Sequence, residues 1–124
     1  MKYLCLVYHE EAKVAALPES DYQTLVNDVL EFREALRRGG NYITSSPLQS
    51  VQTAMTIRVR RNHVTITDCP FAETREQLGG FYLIEATDLN DAIRLASKMP
   101  PARIGRIEVR PLDDFCNRQP PQKL

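Results

Sequence analysis

No excess of charge of either sign runs through this chain: lysine plus arginine number 16, aspartate plus glutamate 16, over 124 residues. A chain so balanced has no global field to draw in nucleic acid or an anionic membrane. The short basic clusters Arg37-Arg38 and Arg58/Arg60/Arg61 are interleaved with apolar residues and read as solvated faces. Long apolar runs are missing too. The first, Tyr3 to Tyr8, stops at His9-Glu10-Glu11. That is short of the roughly 7–15 residues of a signal-peptide core and far short of the about 20 that span a membrane. Cysteine is sparse and odd in number (Cys5, Cys69, Cys116), with no CxxC pair. Reduced thiols in a cytoplasmic protein are expected, rather than a disulfide framework or a zinc site. With only His9 and His63, a histidine-rich metal centre is not expected either, and nothing calls for a cofactor.

What is present is periodicity. Lys2 to Tyr8 is a β-prone run suited to a strand buried on both faces. Glu10 to Leu17 reads as a polar connection. Ser20 with Gln23 three residues on suggests a capped helix start, and Tyr22, Leu25, Val26, Val29, Phe32 and Leu36 form its apolar stripe, ended by Gly39-Gly40. Tyr42 to Ser45 is a short strand. Thr53 to Arg60 and His63 to Asp68 alternate strictly around Arg61-Asn62, which predicts a hairpin with Ile57 opposite Ile66 and Met55 opposite Asp68. One face then carries Met55, Ile57, Val59, Val64 and Ile66, and the other is polar. Phe81 to Ala86 is a further strand. Asp88 caps a second helix with a stripe of Leu89, Ala92, Ile93, Ala96 and Met99, and Ile104 to Arg110 is the last strand. The tail, residues 113–124, has too few apolar residues to pack firmly.

Without the hairpin the order is βαββαβ, the ferredoxin-like α+β unit, whose antiparallel sheet carries both helices on one face. Many strand residues are apolar at both parities, so the second face needs cover as well. A second subunit packed sheet against sheet supplies it, and a homodimer is expected.

The candidate chemistry gathers after the hairpin. Asp68 falls on the parity of the hairpin's apolar face, where a carboxylate must be paired, hydrogen-bonded or neutralised. It is a candidate general base in a cleft, or else a turn-capping residue that accepts N–H bonds from the Phe71–Glu73 turn. Arg75 is a candidate clamp for a ligand carboxylate and Glu73 a second acid/base, against a plain reading as a charged loop. Tyr8 and Phe71 line a pocket or complete the core. His9 is a titrating partner at the same sheet end, or incidental. Cys69 reads as filler, because a neighbouring carboxylate raises a thiol's pKa. Gly79-Gly80 marks a bulge more readily than a ligand contact, and no helix or lysine follows to make a phosphate loop.

Thr67-Asp68-Cys69-Pro70-Phe71-Ala72-Glu73-Thr74-Arg75-Glu76-Gln77-Leu78-Gly79-Gly80-Phe81-Tyr82 resembles the signature of the YCII-related domain family, in its DGPF-motif branch. Met1-Lys2-Tyr3 with Tyr8, Leu36 to Gly39, Thr56 to Arg60 and Ile107 to Pro111 match as well, so the resemblance covers residues 1–112 as one domain. It implies a ferredoxin-like fold of the dimeric α/β-barrel type. Cys69 stands where the branch usually has glycine, and would be strained if that glycine served a positive φ. In the wider family a helix histidine pairs with an aspartate. Asp28 occupies that region here and the helix holds no histidine, so the dyad does not carry over. The resemblance leaves two functions open. One is a small cofactor-independent enzyme or small-molecule-binding protein with a cleft carboxylate. The other is a regulatory protein linked to an extracytoplasmic-function sigma factor.

Overall fold

In the computed structural model, residues 1–70 and 74–113 are described. Four strands form one antiparallel sheet: β1 (Lys2–His9), β2 (Tyr42–Pro47), β5 (Gln77–Glu85) and β6 (Gly105–Pro111), in the order β2-β5-β1-β6. Two further strands, β3 (Thr56–Arg60) and β4 (His63–Thr67), pair only with each other. Helix α1 (Glu11–Ala15) follows β1, α2 (Glu19–Arg38) leads to β2, and α3 (Leu89–Ala96) joins β5 to β6. This is the ferredoxin-like arrangement with an inserted hairpin, as the strand order requires.

The pleat sorts the sheet into two faces. Tyr3, Cys5 and Val7 of β1 lie opposite Ile84, Tyr82 and Gly80 of β5, and these six are buried. Ala92, Leu95 and Ala96 of α3, Leu36 of α2 and Met99 close over them. Phe32 meets Tyr82 edge to face, with ring centroids 5.9 Å apart. Leu4, Leu6 and Tyr8 point the other way, beside Leu83, Phe81 and Leu78 of β5, and stay only half-buried or exposed. The first strand is therefore not buried on both faces within one chain.

Local signals hold in part. Asp88 accepts the Asp91 N–H at 2.8 Å and caps α3 as expected. The α2 start differs: the helix begins at Glu19 behind Pro18, and Ser20 is inside it. Proline suits this place because its missing N–H is one no helix would use, and Glu19 and Asp21 face the positive helix end. Gln23 bonds onward to Asn27 at 3.0 Å rather than back to a cap. The α2 stripe is buried only at Leu36. In α3, Ala92, Leu95, Ala96 and then Met99 take the inner positions, while Leu89 and Ile93 are exposed. Glu11–Ala15, expected as a plain connection, forms a short helix.

The hairpin register is as predicted, with Val59 opposite Val64, Ile57 opposite Ile66 and Arg60 opposite His63. Its ladder ends at Thr56 and Thr67, one pair short of Met55 and Asp68. Both turn residues have positive φ, 52° at Arg61 and 63° at Asn62, as a type I′ turn demands. Burial is where the expectation fails: every residue of β3 and β4 except Thr56 is exposed. The insert leaves β2 at Pro47 and rejoins at Gln77, so it projects from the sheet end where β1 finishes and never lies under the helices.

Candidate functional site

At that sheet end the alternation of β1 sends consecutive residues to different places. Tyr8 lies opposite Leu78 on one side and Arg106 on the other. Its hydroxyl donates to Glu108 Oε1 at 3.2 Å, two residues along β6 on the same face. Burial, and then the Glu108 carboxylate, raise the Tyr8 phenol above its ordinary pKa, with Arg110 opposing. The phenol thus stays a proton donor throughout the neutral range.

Around Tyr8 lies an open hollow of about 640 Å³ lined by Glu10, Lys13, Thr74, Arg75, Glu76 and Arg106. Its charges are interlaced. Arg106 Nε meets Glu76 Oε1 at 3.0 Å, while Arg75 Nε and Lys13 Nζ each lie 3.6 Å from Glu10 Oε1. Both guanidinium side chains are more than four-fifths exposed, so these pairs are weak and retain spare donors.

His9 belongs to a different hollow, lined by Glu11, Ala15, Leu17, Glu19, Tyr22 and Ser50. Its ring is seated on Gly79, where a Cβ would lie 2.2 Å from His9 Nε2. Gly79 is the extra residue of a β-bulge, since Val7 pairs Gly80 and Tyr8 pairs Leu78. The two glycines thus make the expected bulge, and the bulge makes room for the imidazole. Glu11 holds the neighbouring loop by accepting from Val51 N at 2.8 Å and Ser50 Oγ at 3.0 Å.

Of the six residues singled out from the sequence, Tyr8 and Arg75 meet in one hollow, and His9 faces another. Phe71 and Glu73 lie outside the described residues, as do Cys116 and the tail beyond Asp113. Asp68 is corrected: it is exposed, not buried, because the hairpin face it follows is itself uncovered in one chain. Among the described residues it makes no side-chain hydrogen bond or ion pair, and its proposed N–H donors fall in the undescribed turn. Cys69 has no positive φ and carries no strain. Its N–H reaches Thr67 O at 3.0 Å and its carbonyl accepts the Thr56 hydroxyl at 2.6 Å, which ties the base of the hairpin. Asp28 is held in a surface ion pair with Arg103 at 2.8 Å. In the sequence Arg106 and Glu108 read only as the charged parity of the last strand, with no site role. Strand alternation does place both on one face of β6, but only the pairing with β1 brings them to Tyr8.

Among the described residues no group of three or more His, Cys, Asp or Glu side chains stands ready for a metal ion. No helix there is long and apolar enough to cross a membrane.

Fold and hollow together define a small α+β domain with one helix-covered and one open sheet face. The chain belongs to the YCII-related domain family, which it matches over residues 1–116. It is 32% identical over 114 residues to an uncharacterised protein of Rhizobium meliloti (strain 1021), covering 90% of this chain and 92% of that one. It is similar in fold to 5-chloro-2-hydroxyhydroquinone dehydrochlorinase (TftG) from Burkholderia phenoliruptrix AC1100, solved in complex with 2,5-dihydroxybenzoquinone. That likeness has a TM-score of 0.52 at 12% identity and covers 91% of this chain and 94% of that one.

Proposed function

We propose that the protein is a homodimer that binds a small anionic molecule bearing a hydroxyl group, in a cleft on the open sheet face. The Tyr8–Glu108 couple carries this reading. An ionised carboxylate that already accepts a phenolic proton can accept a second hydroxyl, while Tyr8 offers its oxygen to the same ligand group. Arg75 and Arg106 stand beside it as the anion-binding pair. The cleft carboxylate of this chain is then Glu108, a base able to take a ligand proton without a cofactor. The half-buried apolar residues Leu4, Leu6, Phe81 and Leu83 continue from the hollow across the sheet, and a second protomer laid over them closes the cleft.

Titration of the wild-type protein with a panel of hydroxyquinones and hydroxybenzoates, followed by calorimetry, tests the reading. Tyr8→Phe and Glu108→Gln are each expected to weaken binding about tenfold, roughly 1.4 kcal/mol, with folding retained. Arg75→Gln with Arg106→Gln should remove the preference for anionic members. No binding by any member, or unchanged affinity in Glu108→Gln, counts against it. Recovery of a sigma factor in a pull-down, with no ligand bound, would turn the reading toward regulation.

A further inference from the structure

The β3–β4 hairpin has no evident task within one chain. Met55, Ile57, Val59, Val64 and Ile66 are 57%, 66%, 52%, 56% and 60% exposed. The observed register sets Ile57 beside Ile66 and Val59 beside Val64, so the apolar side chains share one face. Thr56, Arg58, Arg60, His63, Thr65 and Thr67 occupy the other. The apolar face amounts to on the order of 500 Å², about the largest patch that a monomer usually leaves open. A two-stranded ribbon is also marginal in water without a surface to pack on. This one shares no strand pairing with the four-stranded sheet.

We infer that the hairpin is an exchange arm: in the homodimer its apolar face lies on the partner protomer and carries Asp68 into the inter-subunit cleft. The inference rests on the dimer reading above and adds what completes the site. The occupant is a second copy because the same chain holds two uncovered apolar surfaces that do not cover one another. One is the arm, and the other is the open sheet face, where Leu4, Leu6, Phe81 and Leu83 are half-buried beside Arg106, Glu108 and Arg110 of β6. Under a two-fold axis each arm meets the partner, and both surfaces close in pairs without leaving an open end. The arm alone, on the order of 500 Å², falls short of the roughly 800 Å² per partner of a stable interface, so the sheet face has to take part as well.

The arm leaves the sheet beside Gln77, at the end where Tyr8 and its hollow lie. Asp68 follows Ile66 on the apolar parity, directly beyond the last paired residue, Thr67. Docking the arm therefore moves Asp68 from solvent to the rim of a cleft that holds Arg75, Arg106 and Tyr8. Its exposure in a single chain is what an inter-subunit residue shows before assembly.

Hydrogen–deuterium exchange on the full-length wild-type protein at a series of concentrations is the direct test. Amides of residues 56–67 should be protected at high concentration and lose at least tenfold of that protection on dilution to monomer. Protection that does not change with concentration overturns the arm. So does protection that arises only on adding anionic phospholipid vesicles, which would assign the face to a membrane. In a parallel mutational test, Ile57→Asp with Ile66→Asp should abolish the dimer in light scattering, whereas Thr65→Asp on the polar face should leave it intact. A double variant that still dimerises as wild type overturns the inference. Failure of the ligand panel alongside concentration-dependent arm protection would sink the binding reading and leave the arm standing.

Discussion

Single side chains in this protein take their chemistry from which sheet face they occupy. Cys5 and Tyr8 sit three residues apart on one strand, yet Cys5 is sealed under the helices and Tyr8 faces a hollow. Burial pushes the Cys5 thiol up from 9.0 to about 11. A folded-state pKa raised above the unfolded one stabilises fully below the unfolded value, and that stability is lost as pH rises through the folded value. Stability should therefore fall between about pH 9 and 11, by roughly 2–3 kcal/mol, and Cys5→Ala should flatten that limb. Denaturant melts across this window check it. At neutral pH, thiol labelling should mark Cys5 only when the chain unfolds.

Between elements, close approach decides what each position tolerates. A Cβ at Gly105 would lie 1.9 Å from the backbone carbonyl oxygen of Tyr8, so β6 can pair with β1 at that level only through glycine. A Cβ at Gly79 would first meet the His9 ring, a side chain that can swing away. Gly105→Ala is expected to cost about 3 kcal/mol or more and Gly79→Ala clearly less, read from denaturation midpoints. Equal losses would show that the imidazole is as fixed as the backbone. The hairpin obeys a related rule. Its register was legible because a one-residue slip would mix Ile57, Val59, Val64 and Ile66 with arginine and threonine. Its positive-φ turn was not, since Arg61 is a poor residue for that conformation and only the closed ladder imposes it.

For the whole molecule, the proposed homodimer would couple folding to assembly, because the open sheet face and the hairpin arm are covered only by a partner. If the homodimer forms as proposed, a tenfold rise in protein concentration should add about 1.4 kcal/mol per mole of dimer and raise the Tm by a few degrees. A concentration-independent Tm would place both surfaces in water. Apart from the short α1, the order of strands and helices was readable from the chain, as were the α3 cap at Asp88 and the bulge at Gly79-Gly80. The Tyr8–Glu108 couple was not: Glu108 is a hundred residues away in sequence and reads as one charge in an alternating strand.

Local pattern carried the elements and their faces, because helix and strand periods are written into neighbouring residues. It could not tell whether an apolar face would be covered. That depends on which elements reach it, and here two helices cover one side of the sheet while, among the described residues, none covers the hairpin. The hairpin and Asp68 lie exposed for that reason, and the hollow forms around Tyr8, Arg75 and Arg106 because pairing with β1 brings β5 and β6 together.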